Sequence, residues 1–128
     1  RKLERPLQRC LVAAEMGAFV GRDNLQRLVR LPDVSLGLRN VFSTTGNTAD
    51  FVSGITGAFL HLRGGWIWDF APTALCVEES GAVACDAHGA PLSWNNVMGT
   101  VRPTGVIFAA NASIRDEVLR VLHSEEWP

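Results

Sequence analysis

Short apolar runs alternate with segments of helical period along the whole chain, and that alternation leaves few architectures open. Cys10 to Glu15 (CLVAAE) is an apolar run ended by Gly17, which predicts a buried strand. After the Gly21-Arg22-Asp23 turn, Asn24 to Leu31 carries Leu25, Leu28 and Val29 at helical spacing, and Pro32 predicts its end. Gly37 to Phe42 reads as strand. Ser43 and Thr44 can cap a helix running through Ser53, with Gly54 and Gly57 beyond it. Ala58 to Leu62 reads as strand, and Arg63-Gly64-Gly65-Trp66 as loop. From Asp69 to Ser80 the positions Phe70, Ala74 and Val77, flanked by Ala71 and Leu75, make an apolar helix face closed by Gly81. Val83 to Asp86 and Val106 to Ala110 read as strands, the stretch 92–104 between them as a surface loop. Asn111 or Ser113 caps a last helix whose inner face is Ile114, Val118, Leu119 and Leu122. The reading is an α/β layer structure in one domain spanning 1–128, without repeat or linker.

Composition agrees with a packed fold. With 47% hydrophobic and 20% charged residues over 128 positions, the chain has material for a core, which excludes disorder, collagen and coiled coil. No apolar run reaches the roughly 18–20 residues that span a bilayer, so no membrane insertion is expected. Arg1, Lys2, Glu4 and Arg5 break any signal-like stretch, and a start at Arg1 instead of Met reads as a piece cut from a longer protein.

Residues 1–39 hold eight Lys/Arg against four acids, whereas the rest hold four against nine. No aromatic residues interleave with the cations, so a solvated surface is favoured over a nucleic-acid site. Cys10, Cys76 and Cys85 form no CxxC pair. Cys10 and Cys76 sit among apolar neighbours, which predicts buried free thiols and a reducing cytoplasm. His61, His88 and His123 lack zinc spacing.

The densest chemical signal is Trp68-Asp69-Phe70-Ala71 leading into Val77-Glu78-Glu79-Ser80-Gly81. It sets a carboxylate at the start of a helix, where free N–H groups and the positive dipole end keep it ionised. Such an acid either caps the helix or binds a hard cation such as Mg²⁺. Glu78, Glu79 and Asp50 fall on helix faces suited to solvent.

Trp68-Asp69-x-Ala71 followed by Glu79-Ser80-Gly81-Ala82 resembles the WD-x-A-A-G…E-A-G-G signature of the inositol monophosphatase superfamily, Mg²⁺-dependent, lithium-sensitive phosphomonoesterases. Asp86-Ala87-His88-Gly89-Ala90-Pro91 resembles the family's D-x-x-G-x-P turn. Arg39-Asn40-Val41-Phe42-Ser43-Thr44 resembles its R-x-x-G-S/T-A segment, and Leu11 to Gly17 a strand ending in E-x-G. Gly105 to Asn111 resembles its penultimate strand, and the helix from Ser113 resembles its last helix. The likeness runs in family order from about residue 10 to 122.

The resemblance implies the C-terminal α/β layer of a five-layer αβαβα sandwich, a mixed sheet between helices. It implies that Asp69 is a Mg²⁺ ligand and that Ser43 and Thr44 hold the substrate alcohol. Arg39 takes a structural role, and Arg63 is the polar group nearest a second phosphate or sugar acid. The other metal ligands are a Glu and the two carboxylates of a D-P-I/L-D-G-T motif that also carries the water-activating Thr, and this chain lacks that motif. A missing N-terminal half must supply them, and this chain alone is expected to be inactive. An isolated half exposes an apolar patch, which predicts a homodimer or a tight complex with the missing half. Three departures stand out: Phe42 where the family has Gly, Leu62 where inositol phosphatases carry a substrate-binding Glu, and Pro72-Thr73 for Ala-Gly. The implied function is hydrolysis of an inositol phosphate, sugar phosphate or nucleotide 3′-phosphate. The alternative is a non-catalytic α/β interaction or regulatory module derived from that fold.

Overall fold

The computed structural model describes residues 5–63, 67–94 and 105–127. Five strands, β1 (Leu11–Ala14), β2 (Gly37–Arg39), β3 (Thr56–His61), β4 (Val83–Cys85) and β5 (Val106–Ala109), form one sheet in the order β2-β1-β3-β5-β4. β1 pairs in parallel with both β2 and β3, and β5 runs antiparallel to β3 and β4. Four strands therefore point one way and β5 alone points back, which makes the sheet mixed. The helices are α1 (Arg22–Leu28), α2 (Thr44–Val52), α3 (Ile67–Glu79) and α4 (Ala112–His123). α2 packs with α3 on one face, and α1 with α4 on the other.

Burial follows position in the sheet. β3 and β5 lie inside and are buried at every residue, whereas the edge strand β2 is half-open. Phe59 and Phe108 are cross-strand partners whose rings meet edge-on, and Phe51 of α2 packs on Phe108 from above. Aromatic pairs of this kind add about 0.5–1.5 kcal/mol beyond the area they bury. The β1–β3 register slips by one residue at Gly57, a bulge whose missing Cβ leaves room for the Cys10 sulfur; a Cβ there would lie 2.6 Å from it.

The elements agree with the sequence reading in type and order, and several ends differ. α1 stops at Leu28, because Leu31-Pro32-Asp33 turns into a 3-10 helix of its own. Val29, expected inside, is therefore exposed. β2 ends at Arg39, three residues before Phe42. In α4 Val121 is buried where Leu119 was expected to be, Leu119 being only partly covered. Cys76 is exposed, contrary to expectation, since it falls beside the Phe70–Ala74–Val77 stripe; Cys10 and Cys85 are the buried thiols. Residues 64–66 and 95–104, expected as loops, lie outside the described residues. Among the described residues, no helix is long and apolar enough to cross a membrane.

Candidate functional site

The strand order creates a crevice. β1 hands the chain through α1 to β2 on one side, while its neighbour β3 hands it through α3 to β4 on the other. Connections that diverge from adjacent parallel strands open a cleft at their carboxyl ends, the usual ligand position in such sheets. Here those ends are Glu15, whose N–H donates to Leu60 O at 2.9 Å, and His61. The N-termini of α1, α2 and α3 follow the carboxyl ends of β1, β2 and β3, so three positive dipole ends share this rim.

Glu15 is buried, and its Oε1 accepts from the Gly17 N–H at 3.2 Å. His61 sits between the rings of Phe19 and Phe70, at 5.7 and 5.2 Å between centroids. Its Nδ1 is buried with no partner among the described residues. Burial pushes the imidazole below its ordinary range, outweighing the opposite pulls of the Glu15 and Asp69 carboxylates. Leu62 is buried, whereas Arg63 is exposed and reaches toward the loop after β1, with Nη1 3.9 Å from where a Gly21 Cβ would sit.

The β2–α2 connection is built by two asparagines. Asn40 Oδ1 accepts from the Phe42 N–H at 2.8 Å and from Asn47 Nδ2 at 3.1 Å, and Asn47 Oδ1 accepts from the Val41 N–H at 3.2 Å. Asn47 is fully buried, so this network is anchored in the core. It holds Phe42 at φ 58°, the left-handed region, with the side chain 77% exposed. For a residue with a Cβ that conformation costs about 1–2 kcal/mol. Ser43 caps α2, its Oγ accepting from the Gly46 N–H at 3.0 Å, so the capping role that its position suggested is realised. Thr44 opens the helix and is half-buried. Arg39 forms an ion pair, Nε to Asp50 Oδ2 at 2.8 Å, in keeping with a structural role.

Asp69 lies in the first turn of α3, as its third residue, and so is not the N-cap. It is half-exposed, and its carboxylate has no hydrogen-bond partner among the described residues. Pro72 is the sixth residue of α3, in its second turn and two residues deeper than a helix starting at Asp69 would put it, and removes an N–H from the ladder. Thr73 Oγ1 bonds back to the carbonyls of Asp69 and Phe70 at 2.8 and 3.2 Å. Asp86, buried at the same edge, is spent on its own turn, its Oδ1 accepting from the N–H groups of His88 and Ala90. Among the described residues, no three His, Cys, Asp or Glu side chains converge to hold a metal ion.

Asp69, Ser43, Thr44 and Arg63 therefore gather on one edge of the sheet, with Glu15 and His61 in the crevice between β1 and β3. Sequence reasoning passed over those last two. Their signal was weak, a single acid and a single histidine each closing an apolar strand. A groove of about 630 Å³ at the opposite edge, lined by Pro6, Leu7, Gln8 and the first turns of α4, holds charges that are already paired, such as Arg120 with Glu117 at 2.7 Å.

The sequence profile of the inositol monophosphatase family matches residues 11–125. A solved structure of the extragenic suppressor protein suhB from Bartonella henselae is similar over 95% of this chain and 44% of its own, with 26% identity and a TM-score of 0.78. A lithium chloride-soaked inhibitory complex of Staphylococcal inositol monophosphatase-1 shares 20% identity, with a TM-score of 0.75 over 95% of this chain and 42% of its own. An IMPase from Thermotoga maritima shares 22%, with a TM-score of 0.72 over 93% and 42%. The last two likenesses concern the fold alone. The chain spans less than half the length of these solved relatives. Comparison with curated protein sequences gives no significant match.

Proposed function

The chain belongs to the inositol monophosphatase family, and on that premise we propose that the complete protein is a Mg²⁺-dependent phosphomonoesterase to which residues 1–128 contribute the C-terminal half. The observation that carries this reading is the placement of Asp69. A carboxylate with no hydrogen-bond partner among the described residues stands in a helix first turn, on the edge that also carries Ser43 and Thr44. Its hard oxygen donors suit Mg²⁺, but one carboxylate is not a site for an ion that takes six oxygens. The remaining ligands come from the missing half, so this chain alone is inactive. Bound Mg²⁺ supplies charge neutralisation at the phosphate and a lowered pKa for water. Asp69 offers the ion a ligand. Ser43 and Thr44 meet the alcohol side of a phosphorylated small molecule, and Arg63 meets a further anionic group. The helix N-termini add favourable potential for the phosphate.

The missing half has a surface waiting for it. α3 is apolar on both sides: Phe70, Ala74 and Val77 face the sheet, while Trp68 and Leu75 are 62% and 61% exposed, with Val52 of α2 exposed on the same layer. A second apolar stripe on a helix whose other face is already buried calls for a further layer to cover it. We place the N-terminal half on this face, with homodimerisation following from the complete fold. Three free cysteines fit a cytoplasmic protein. The neighbour soaked in lithium chloride supports lithium sensitivity.

A magnesium titration of the complete protein against inositol 1-phosphate, a sugar phosphate and a nucleoside 3′-phosphate tests the proposal. Hydrolysis that saturates with Mg²⁺ is expected, and its absence with every metal ligand present would overturn it. Pro72 inside α3 and Leu62 favour a second reading, a regulatory module that kept the fold without the activity.

A further inference from the structure

We propose that Phe42 is the specificity-determining residue of this pocket, an aromatic platform on which a planar ring of the substrate stacks, so that the preferred substrate is a nucleotide-type phosphomonoester and not a bare cyclitol phosphate. The inference deepens the phosphatase reading and rests on it for the position of the phosphate.

Three observations converge on Phe42. It is the one non-glycine residue with positive φ among the described residues. The Asn40–Asn47 network imposes that conformation through bonds to the Phe42 and Val41 N–H groups. The ring so held is 77% exposed and contributes little to the core. A strained backbone and a large ring in solvent are both unfavourable, and glycine would remove both. Such outliers persist where the surroundings enforce them, and they point toward recognition.

Position selects the ligand. Phe42 precedes Ser43 on the rim, at the end of β2, and β2 lies two strand spacings, roughly 10 Å, from β3, which leads into the Asp69 helix. A phosphate near Asp69 with a base over Phe42 spans that reach, and a cyclitol phosphate is too compact to do so. Leu62, buried beside the site, offers no carboxylate to cyclitol hydroxyls. The ring is also separate from the apolar face of α2 and α3: Val52, at the far end of α2, is roughly 15 Å along the helix from Phe42. Stacking on an aromatic face needs no base-specific contact.

The test is calorimetric binding of adenosine 3′-monophosphate and inositol 1-phosphate to the complete protein and to its Phe42→Gly, Phe42→Leu and Phe42→Trp variants. Selectivity for the nucleotide should fall about 10–100-fold in Phe42→Gly and Phe42→Leu, the range that one base–aromatic stack is worth, and survive in Phe42→Trp. Phe42→Gly should at the same time melt about 3–5 °C higher as the strain is relieved. Unchanged selectivity overturns the proposal, as does failure of the nucleotide to bind. A Phe42→Gly effect on oligomeric state in place of binding overturns it too, assigning the ring to a protein interface. Binding needs no turnover: a selective nucleotide complex that is not hydrolysed defeats the phosphatase reading and leaves this one standing. Hydrolysis with selectivity indifferent to Phe42 does the reverse.

Discussion

Arg30 donates through Nη1 to the carbonyl of Ser124 at 2.8 Å, and to those of Val121 and Leu122 at 3.1 and 3.4 Å. One guanidinium thus satisfies the open carbonyls at the end of α4 from the far end of the α1 turn. Trp127 Nε1 bonds to Asp33 Oδ2 at 3.2 Å, and Arg120 stands over the Trp127 ring. The last helix and its tail are pinned to residues about ninety positions earlier.

Arg30→Ala should therefore destabilise the chain by about 1.5–2 kcal/mol, the scale for hydrogen bonds from a charged donor. Urea unfolding with an unchanged m-value measures it. Arg30→Lys should recover only part of the loss, because the ammonium ends one bond short of the Nη1 position and lacks the fixed planar orientation of the guanidinium. A variant as stable as the parent would mean that water caps α4 equally well.

His61 gives the chain a pH dependence of known sign. Burial holds its imidazole below the ordinary value of about 6.5, so on acidification the unfolded chain takes up the proton first. The stability that comes from keeping His61 neutral is complete above about pH 6.5 and is lost as the pH falls from there through the folded value. Replacing His61 with Gln should flatten this decline between pH 7 and 5. Parallel curves for parent and variant would show that His61 does not set the slope.

What the sequence disclosed depended on whether the deciding contacts were local. α4 was readable because its cap and its stripe lie within one turn of each other: Asn111 Oδ1 accepts from the Ile114 N–H, and Ile114, Val118 and Leu122 repeat on one face. Phe42 looked like the end of a strand, since nothing local announces that Asn47, a turn into the next helix, will bend its backbone. Glu15 and His61 lie 46 residues apart and meet only because β1 and β3 pair across the inserted β2. Asp69 was singled out by motif and not by physics, for an acid in a first turn is common. Cys76 misled because hydrophobic neighbours in sequence do not fix a side of the helix.

Cys76 offers a direct probe of the proposed N-terminal half. It is exposed on α3, while Cys10 and Cys85 are buried, and burial pushes the Cys85 thiol up to about 11. Iodoacetamide at pH 8 should alkylate Cys76 first in this chain, and reach the other two only on unfolding. In the complete protein Cys76 should become protected, because its face of α3 is the one we assign to the N-terminal half. Equal reactivity in both forms would place that half elsewhere.

Asp69 and Ser43 can be separated by comparing stability with turnover in the complete protein. The Asp69 carboxylate has no hydrogen-bond partner among the described residues, so Asp69→Asn forfeits there its interaction with the dipole of α3, about 0.5 kcal/mol, and its attraction for a protonated His61. If it holds Mg²⁺, the same change should lower kcat by at least about 100-fold, the equivalent of roughly 3 kcal/mol of barrier, and raise the Mg²⁺ concentration needed for half-maximal rate. Ser43→Ala should do the opposite on stability: the Gly46 N–H loses its acceptor, and about 1 kcal/mol goes with the cap. Ser43→Gly should cost only a few tenths of that scale, since glycine is itself tolerated at the position. Should turnover in Ser43→Ala track that in Ser43→Gly, the hydroxyl contributes contact with substrate beyond its capping bond. Should it track the loss of stability, Ser43 is a cap alone, and the alcohol side of the pocket rests on Thr44 and its neighbours.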